Sequence, residues 1–303
     1  MSNNSLPTQP PYNATFMGVV VGAANHYGLS FVPKDFYCES GFAYALNVAP
    51  DLCPSGPYCW NHMHVLENLL LLGLRMTHIP LGYSSDPNND VADEAARAAK
   101  ESLLSVEALE HQLVSNSDEM GLELSLPWGP DGDACLSRVE FEDLRKKDPP
   151  IFGFYRIDSC DSAPKSVRVL RGLECALRMY EAAADFQTDG YRFGLDGFEV
   201  WSDALRSSEF NTHGNWWNAQ VWSECRHVAS EYFSNWELPK CDETSSLAQQ
   251  FSEVSSLLSK AGDQELDNDK KRSLVQQAGE IESHIPDLIR SLVEKIRSDQ
   301  AEN

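Results

Sequence analysis

Cys38 has the clearest physical route to reactivity in this sequence. It stands in Asp35-Phe-Tyr-Cys-Glu-Ser-Gly, just ahead of a run in which Phe42, Ala43, Leu46 and Ala49 mark one side of a short helix ended by Pro50. That register predicts Cys38 at or near a helix N-terminus. There the positive end of the macrodipole and the open backbone N–H groups favour thiolate, the nucleophilic form. Ser40 and the backbone around Cys38 would then supply oxyanion donors. The competing reading is a buried, inert thiol, because cysteine is among the most buried residue types.

A thiol nucleophile needs a base. His213 is the candidate, in Asn211-Thr-His-Gly-Asn-Trp-Trp-Asn at the head of an amphipathic segment, with Thr212 able to cap it; His26 stands behind it. A helix N-terminus disfavours imidazolium, so His213 would stay neutral as a general base should. It reads equally as a surface histidine of a capping region. Trp60, Trp201 and Trp217 could line an aromatic pocket. Glu224 is a further substrate-binding candidate; Glu224 and Arg226 are two residues apart, so only one of them can face a site.

A second cluster is Cys53-x5-Cys59-x2-His62-x-His64. Four such ligands suffice for zinc by count. On a helix His62 and His64 would point about 200° apart, so both could bind only from an irregular turn. The alternative is a Pro/Gly turn with buried thiols, and the site assignment carries no metal and no cofactor. Gly-x-Gly-x-x-Gly after a strand, Gly-x4-Gly-Lys-Ser/Thr, His-Glu-x-x-His and Gly-x-Ser-x-Gly are all absent from the sequence.

Tyr37-Cys38-Glu39-Ser40 followed by a small, apolar segment resembles the His-Cys-Glu-Thr/Ser opening of the butirosin-biosynthesis acyltransferase N-terminal family. That family is similar to the double-glycine leader peptidases and hence to the papain-like fold. Ser40-Gly-Phe-Ala43, Cys53-Pro-Ser-Gly-Pro57, and Gly194-Leu-Asp-Gly-Phe-Glu-Val-Trp201 with His213 and Trp222-Ser-Glu-Cys-Arg226 resemble a group of uncharacterised bacterial proteins of that superfamily. The resemblance spans roughly residues 16–240. It implies a reduced papain-like domain and a cysteine-dependent hydrolase or acyl transferase acting on a small amide or thioester. Position 37 is Tyr where the family has His, and neither Gly121–Leu126 nor Ile151–Ile157 carries a histidine. The base must then come from the helical half.

The elements that would position these residues follow from periodicity. Residues 1–14 form a loose tail, and Phe16–Ala24 is read as a buried strand. Asn61 caps a helix with Met63, Leu66, Leu69 and Leu70 on its buried stripe and Gly73 as terminator. Arg75–Leu81 is a strand, Ser84–Asp90 a loop, and Val91–Leu104 and Val106–Val114 have helical period. Gly121–Leu126 and Ile151–Ile157 are strands, with a loop at Pro130–Ala134. From Ser166 the chain is helical: Leu170 to Ala184, Leu195 to Leu205, Trp222 to Trp236, Leu247 to Leu258 and Leu274 to Leu292, the last kinked at Pro286.

The expected fold is therefore α+β, with a flexible tail (1–14), a papain-like domain (15–165), a helical region packed on it (166–241) and a C-terminal helical hairpin (242–303). That hairpin would pack on the body or on a twin in a homodimer. The 303 residues are enough for one large core or two modest ones, and 42% hydrophobic content is that of a folded chain. The formal net charge of −22 argues against nucleic acid and anionic membrane as partners. No run reaches the roughly 18 apolar residues of a membrane helix. Eight cysteines without a signal-peptide pattern point to reduced thiols in the cytoplasm. The alternative to an enzyme is a non-catalytic small-molecule-binding protein with an aromatic pocket.

Overall fold

The computed structural model describes residues 6–80, 91–107, 110–125, 127, 136–145, 153–207, 209–238 and 241–302. The chain is α+β: a six-stranded antiparallel sheet in its amino-terminal half, then a succession of helices to the end. It divides into two compact units, each discontinuous. One comprises Met1–Pro33 with Leu69–Ser162, the sheet unit; the other comprises Lys34–Asn68 with Ala163–Asn303, the helical unit. The division differs from the contiguous one read from the sequence, because residues 34–68 are folded with the carboxy-terminal helices. The expected loops at 84–90 and 130–134 and the Pro149-Pro150 pair lie outside the described residues.

The sheet unit opens with a correction. Phe16–Ala24 is not a strand: it lies within helix α1 (Thr15–Tyr27), buried from Thr15 through Ala24. A segment covered on every side shows no periodicity, so helix and strand look alike in sequence. Its two glycines settle the matter sterically. Gly18 and Gly22 lie one turn apart, and a Cβ would stand 3.0 Å from the Pro10 carbonyl at the first and 2.6 Å from the Thr8 carbonyl at the second. The incoming segment can lie against the helix only because those side chains are missing.

Strands β2 (Leu74–Pro80), β3 (Leu103–Glu107), β4 (His111–Ser117), β5 (Gly121–Ser125), β6 (Leu136–Glu140) and β7 (Gly153–Ser159) run in the order β2-β7-β3-β4-β5-β6. The expected strands at 75–81, 121–126 and 151–157 fall on β2, β5 and β7. The expected helix at Val106–Val114 is wrong. Val106 belongs to β3 and His111–Val114 to β4, paired through Glu107↔His111 and Ser105↔Leu113. Cross-strand pairing, which local propensity does not report, decides this segment. Helix α4 (Val91–Glu101) covers one face, where Ala95 and Ala98 pack with Leu104, Val106, Leu122 and Phe154. Helix α1 packs on β4.

In the helical unit, helix α2 (Pro33–Glu39) leads to a 3-10 turn at Phe42–Tyr44, a two-residue strand β1 (Asn47–Val48) and helix α3, Met63–Leu71, whose end passes into the sheet unit. The Asn61 carboxamide accepts the Met63 N–H at 3.1 Å, as its capping position predicts. Helices α5 (Lys165–Glu181), α6 (Leu195–Ala204) and α7 (Thr212–Ser234) follow, with β8 (Arg192–Phe193) pairing antiparallel to β1. Asn211, rather than Thr212, caps α7, accepting from Gly214 N at 2.7 Å. The expected two-helix hairpin is three helices, α8 (Asp242–Ala261), α9 (Asn268–Glu282) and α10 (Ile285–Glu302). Pro286 does not kink a helix; it sits in the first turn of α10, where its missing N–H costs nothing. The stripes Leu247-Phe251-Val254-Leu258 and Ile285-Ile289-Leu292 are buried, and these helices pack on α5, α6 and α7 of the same chain. Among the described residues no helix is long and apolar enough to cross a membrane.

One ion pair ties this unit together. Arg226 of α7, with no exposed side-chain surface, pairs with the equally buried Glu282 of α9. Its NH1 group also donates to the carbonyls of Ala43 at 2.9 Å and Ala45 at 2.6 Å, and Tyr180 donates to Glu282 at 2.7 Å. Removing one partner leaves an uncompensated buried charge. Glu282→Ala is therefore expected to lower the urea-unfolding free energy of the helical signal by about 3–5 kcal/mol, against under 1 kcal/mol for Asp203→Ala, which removes only the exposed Asp203–Arg206 pair.

Candidate functional site

The placement of Cys38 reverses the expectation. Cys38 is the penultimate residue of α2, at the carboxy end of a seven-residue helix, and the residues after it form a 3-10 turn instead of a helix. Only 1% of its surface is exposed. Burial pushes its thiol well up, the Tyr44 hydroxyl opposes this, and Glu39, Asp35 and Cys225 push it further up. Glu39 is itself buried against Arg168 (Nε to Oε2, 2.7 Å) and accepts from the Tyr232 hydroxyl at 3.3 Å. The surroundings disfavour the thiolate that a nucleophile requires.

Ser40 is fully buried; its hydroxyl points to the Tyr37 carbonyl at 3.4 Å and accepts from Phe42 N at 3.2 Å. It braces the turn and presents no donor to a substrate. His213 lies exposed in the first turn of α7 with its ring 5.4 Å from that of Trp216. Among the described residues no hydrogen bond, ion pair or ring contact joins it to Cys38 or Ser40. His26 is exposed at the end of α1, its ring beside Tyr27.

The three tryptophans are core. Trp60, Trp201 and Trp217 are at most 6% exposed, and each spends its indole N–H within the protein: on the Pro57 carbonyl at 2.9 Å, on Asn215 at 2.8 Å and on the Tyr58 hydroxyl at 3.0 Å. Glu224 accepts from Tyr37 at 2.7 Å, so Glu224 and Arg226 both have structural partners. The four-ligand arrangement also fails. The His62 ring lies 3.9 Å from that of Trp60, while His64 turns to Glu67 at 3.0 Å and to the Phe186 ring. Among the described residues no group of three or more His, Cys, Asp or Glu is placed to hold a metal ion.

The sheet unit holds the arrangement that the sequence did not reveal. His78 on β2 lies opposite Tyr155 on β7, and Tyr155 opposite Ser105 on β3. Glu107, two residues along β3, shares that face, and its Oε2 meets His78 Nε2 at 2.8 Å. A carboxylate only accepts, so Nε2 carries the proton and Nδ1 of the neutral ring carries the basic lone pair. The His78 side chain is 36% exposed and Glu107 22%. The Tyr155 ring supports His78 at a centroid distance of 4.7 Å. Burial pushes the Tyr155 phenol up, and Glu107 adds to this.

His111, opposite Glu107 on β4, completes a cluster of four titratable groups. It is 1% exposed, and burial holds its imidazole down at about 4, Glu107 acting against this and His78 with it. Gln9 and the first residue of α1 fix its strand. The Gln9 carboxamide donates to the His111 carbonyl at 3.1 Å and accepts from Leu113 N at 2.6 Å, while Thr15 accepts from His111 N at 3.1 Å. Phe16 lies edge-on to the imidazole. The period-two pattern of residues 74–80 places His78 on the face of Met76, but the partner carboxylate comes from a strand 29 residues away. That pairing has no local signal.

Two measurements follow. Iodoacetamide at pH 8 is expected to leave Cys38 unmodified in the folded protein and to label it only in denaturant; native labelling at the rate of an exposed thiol would contradict its burial. His111 has a folded pKa below its unfolded one, so the unfolded chain binds the extra proton. Its contribution is complete above about pH 6.5 and is lost as pH falls toward 4, a loss of about 3 kcal/mol. His111→Phe should flatten unfolding free energy across that window, read from urea titrations at successive pH values.

In comparisons with known proteins, no family model, no curated protein and no solved structure matches the chain.

Proposed function

We propose that the chain is a hydrolase or acyl transferase for a small amide or thioester that works by general acid–base chemistry, with His78 as the base and Glu107 as the carboxylate that orients it. The observation that carries this reading is the 2.8 Å contact between His78 Nε2 and Glu107 on a partly exposed sheet face. A carboxylate-held imidazole has a fixed tautomer and a fixed ring orientation, which leave Nδ1 as the atom that takes a proton. His78 Nδ1 removes a proton from water as its oxygen adds to the substrate carbonyl carbon. The imidazolium then returns that proton to the departing nitrogen or sulfur as the bond to carbon breaks. Perturbed neighbours such as His111 and Tyr155 are typical of functional clusters. The substrate class comes from the papain-like resemblance of residues 16–240, and reduced thiols make the cytosol the matching compartment.

A second reading, a non-catalytic protein that binds a small polar molecule, is favoured by a small cleft of about 110 Å³ in the helical unit, open to solvent. Its lining includes His64, Glu67, Asn68, Arg171, Glu174 and Arg178, so that charged groups of both signs face one small concavity.

Turnover of small chromogenic anilides and acyl thioesters separates the two readings. The enzyme reading expects activity that falls about 100-fold or more in His78→Gln and in part in Glu107→Gln, with Cys38→Ala unchanged. A wild-type chain that turns over none of them, or a His78→Gln variant at full rate, overturns it. Binding of small zwitterions to the inactive wild type, measured by calorimetry and lost in Arg171→Ala, would then establish the second reading.

A further inference from the structure

Tyr155 departs in one respect from the other tyrosines packed into the fold. Tyr27 gives its hydroxyl hydrogen to the Ile157 carbonyl at 2.8 Å, Tyr37 to Glu224 at 2.7 Å, Tyr180 to Glu282 at 2.7 Å and Tyr232 to Glu39 at 3.3 Å. A ring taken into the core normally brings its O–H to such a partner. Tyr155 is 4% exposed, yet its hydroxyl makes no hydrogen bond with any described residue. Nor is that oxygen sealed in; it belongs to the small part of the residue that solvent reaches.

The ring itself is held by three others. Between centroids it lies 4.7 Å from His78, 5.9 Å from His111 and 6.0 Å from Phe16. The para oxygen stands two bond lengths beyond the ring centre, so it stays within one small molecule's reach of the imidazole. A water held by Nδ1 at about 2.8 Å, a carbonyl carbon about 3 Å from that water and the carbonyl oxygen beyond it span a gap of this size.

Water adding to a carbonyl puts negative charge on its oxygen, and the Glu107 carboxylate nearby opposes that charge. The described basic residues of β2 and β7 give no relief. Arg75 and Arg156 alternate onto the opposite face of the sheet, in register with Asp158 and Thr77. Burial first, and Glu107 second, hold the Tyr155 phenol up. It therefore stays neutral, a donor to an anion and a poor source of a proton for a leaving group.

We propose that the Tyr155 hydroxyl is the oxyanion donor of this site and receives the carbonyl oxygen of the small amide or thioester; this rests on the reading of His78 as the base. As the water oxygen bonds to the carbonyl carbon, the π pair moves onto the carbonyl oxygen, and the Tyr155 O–H bonds to the anion formed. The pair then returns, the C–N or C–S bond breaks, and the leaving group takes its proton from the His78 imidazolium. The phenol keeps its hydrogen throughout.

A hydroxyl with no partner makes Tyr155→Phe a clean variant. Its removal strands no group, so the urea midpoint should not move, whereas Tyr180→Phe takes the hydrogen bond from the buried Glu282 and should lower it. Turnover of the same chromogenic anilides and acyl thioesters is then followed in Tyr155→Phe as a function of pH. The expected result is kcat lower by about 100-fold or more, with KM and the acidic limb of the pH–rate profile, which reports His78, both unchanged. Full kcat in Tyr155→Phe beside an active wild type overturns the donor role and leaves His78 standing as base. A loss of kcat with a shifted acidic limb places Tyr155 behind His78 and overturns its contact with substrate. A lowered urea midpoint overturns the free hydroxyl. A wild type that turns over none of these compounds overturns both the base and its donor.

Discussion

The guanidinium of Arg226 is the constraint on which the helical unit depends. It has no exposed surface, so its charge must be matched and its N–H groups placed inside the protein. Glu282 supplies the charge, and the carbonyls of residues 43–45 take the remaining hydrogens. These carbonyls belong to a stretch with one short 3-10 turn and a two-residue strand, too little regular structure to satisfy its own backbone. The arginine does the work that a helix or sheet would do elsewhere. The irregular path from Gly41 to Val48 follows from this, and with it the burial of Cys38 immediately upstream.

Which parts of the fold were legible in the sequence depends on how burial is distributed around each element. Where burial falls on one side, the period survived: Trp222, Cys225, Ala229 and Tyr232 mark the inner face of α7, and the alternation of Leu122 and Leu124 marks β5. Where burial is all-round, as in α1, pattern carries no information and the strand reading had no contrary signal. At Val106–Val114 the apolar spacing imitated a helix because two short strands and their connection fell within one window. Gly73, with φ of +88°, and Asn61 were readable because turn chemistry is local.

The candidate chemistry was less legible for a related reason. A helix formed by the residues after Cys38, as their apolar spacing suggests, would have given the thiol a positive dipole. The helix lies before it instead, and the dipole argument changes sign. His78 and Glu107 could not be coupled from sequence because β7, absent from the local neighbourhood of both, sits between their strands. Acid–base pairs of this kind are properties of a sheet order.

The long reach of Arg226 also bears on how the chain is made. Ala43 and Ala45 lie more than 180 residues before the arginine that caps them, and Glu282 comes 56 residues later still. During synthesis from the amino end, residues 34–68 emerge with their carbonyls and aromatic side chains uncovered. They must wait while all six strands of the sheet are built between them and their partners. Contacts of such separation are slow to close, and the waiting segment is the part of the nascent chain most in need of a chaperone's shelter.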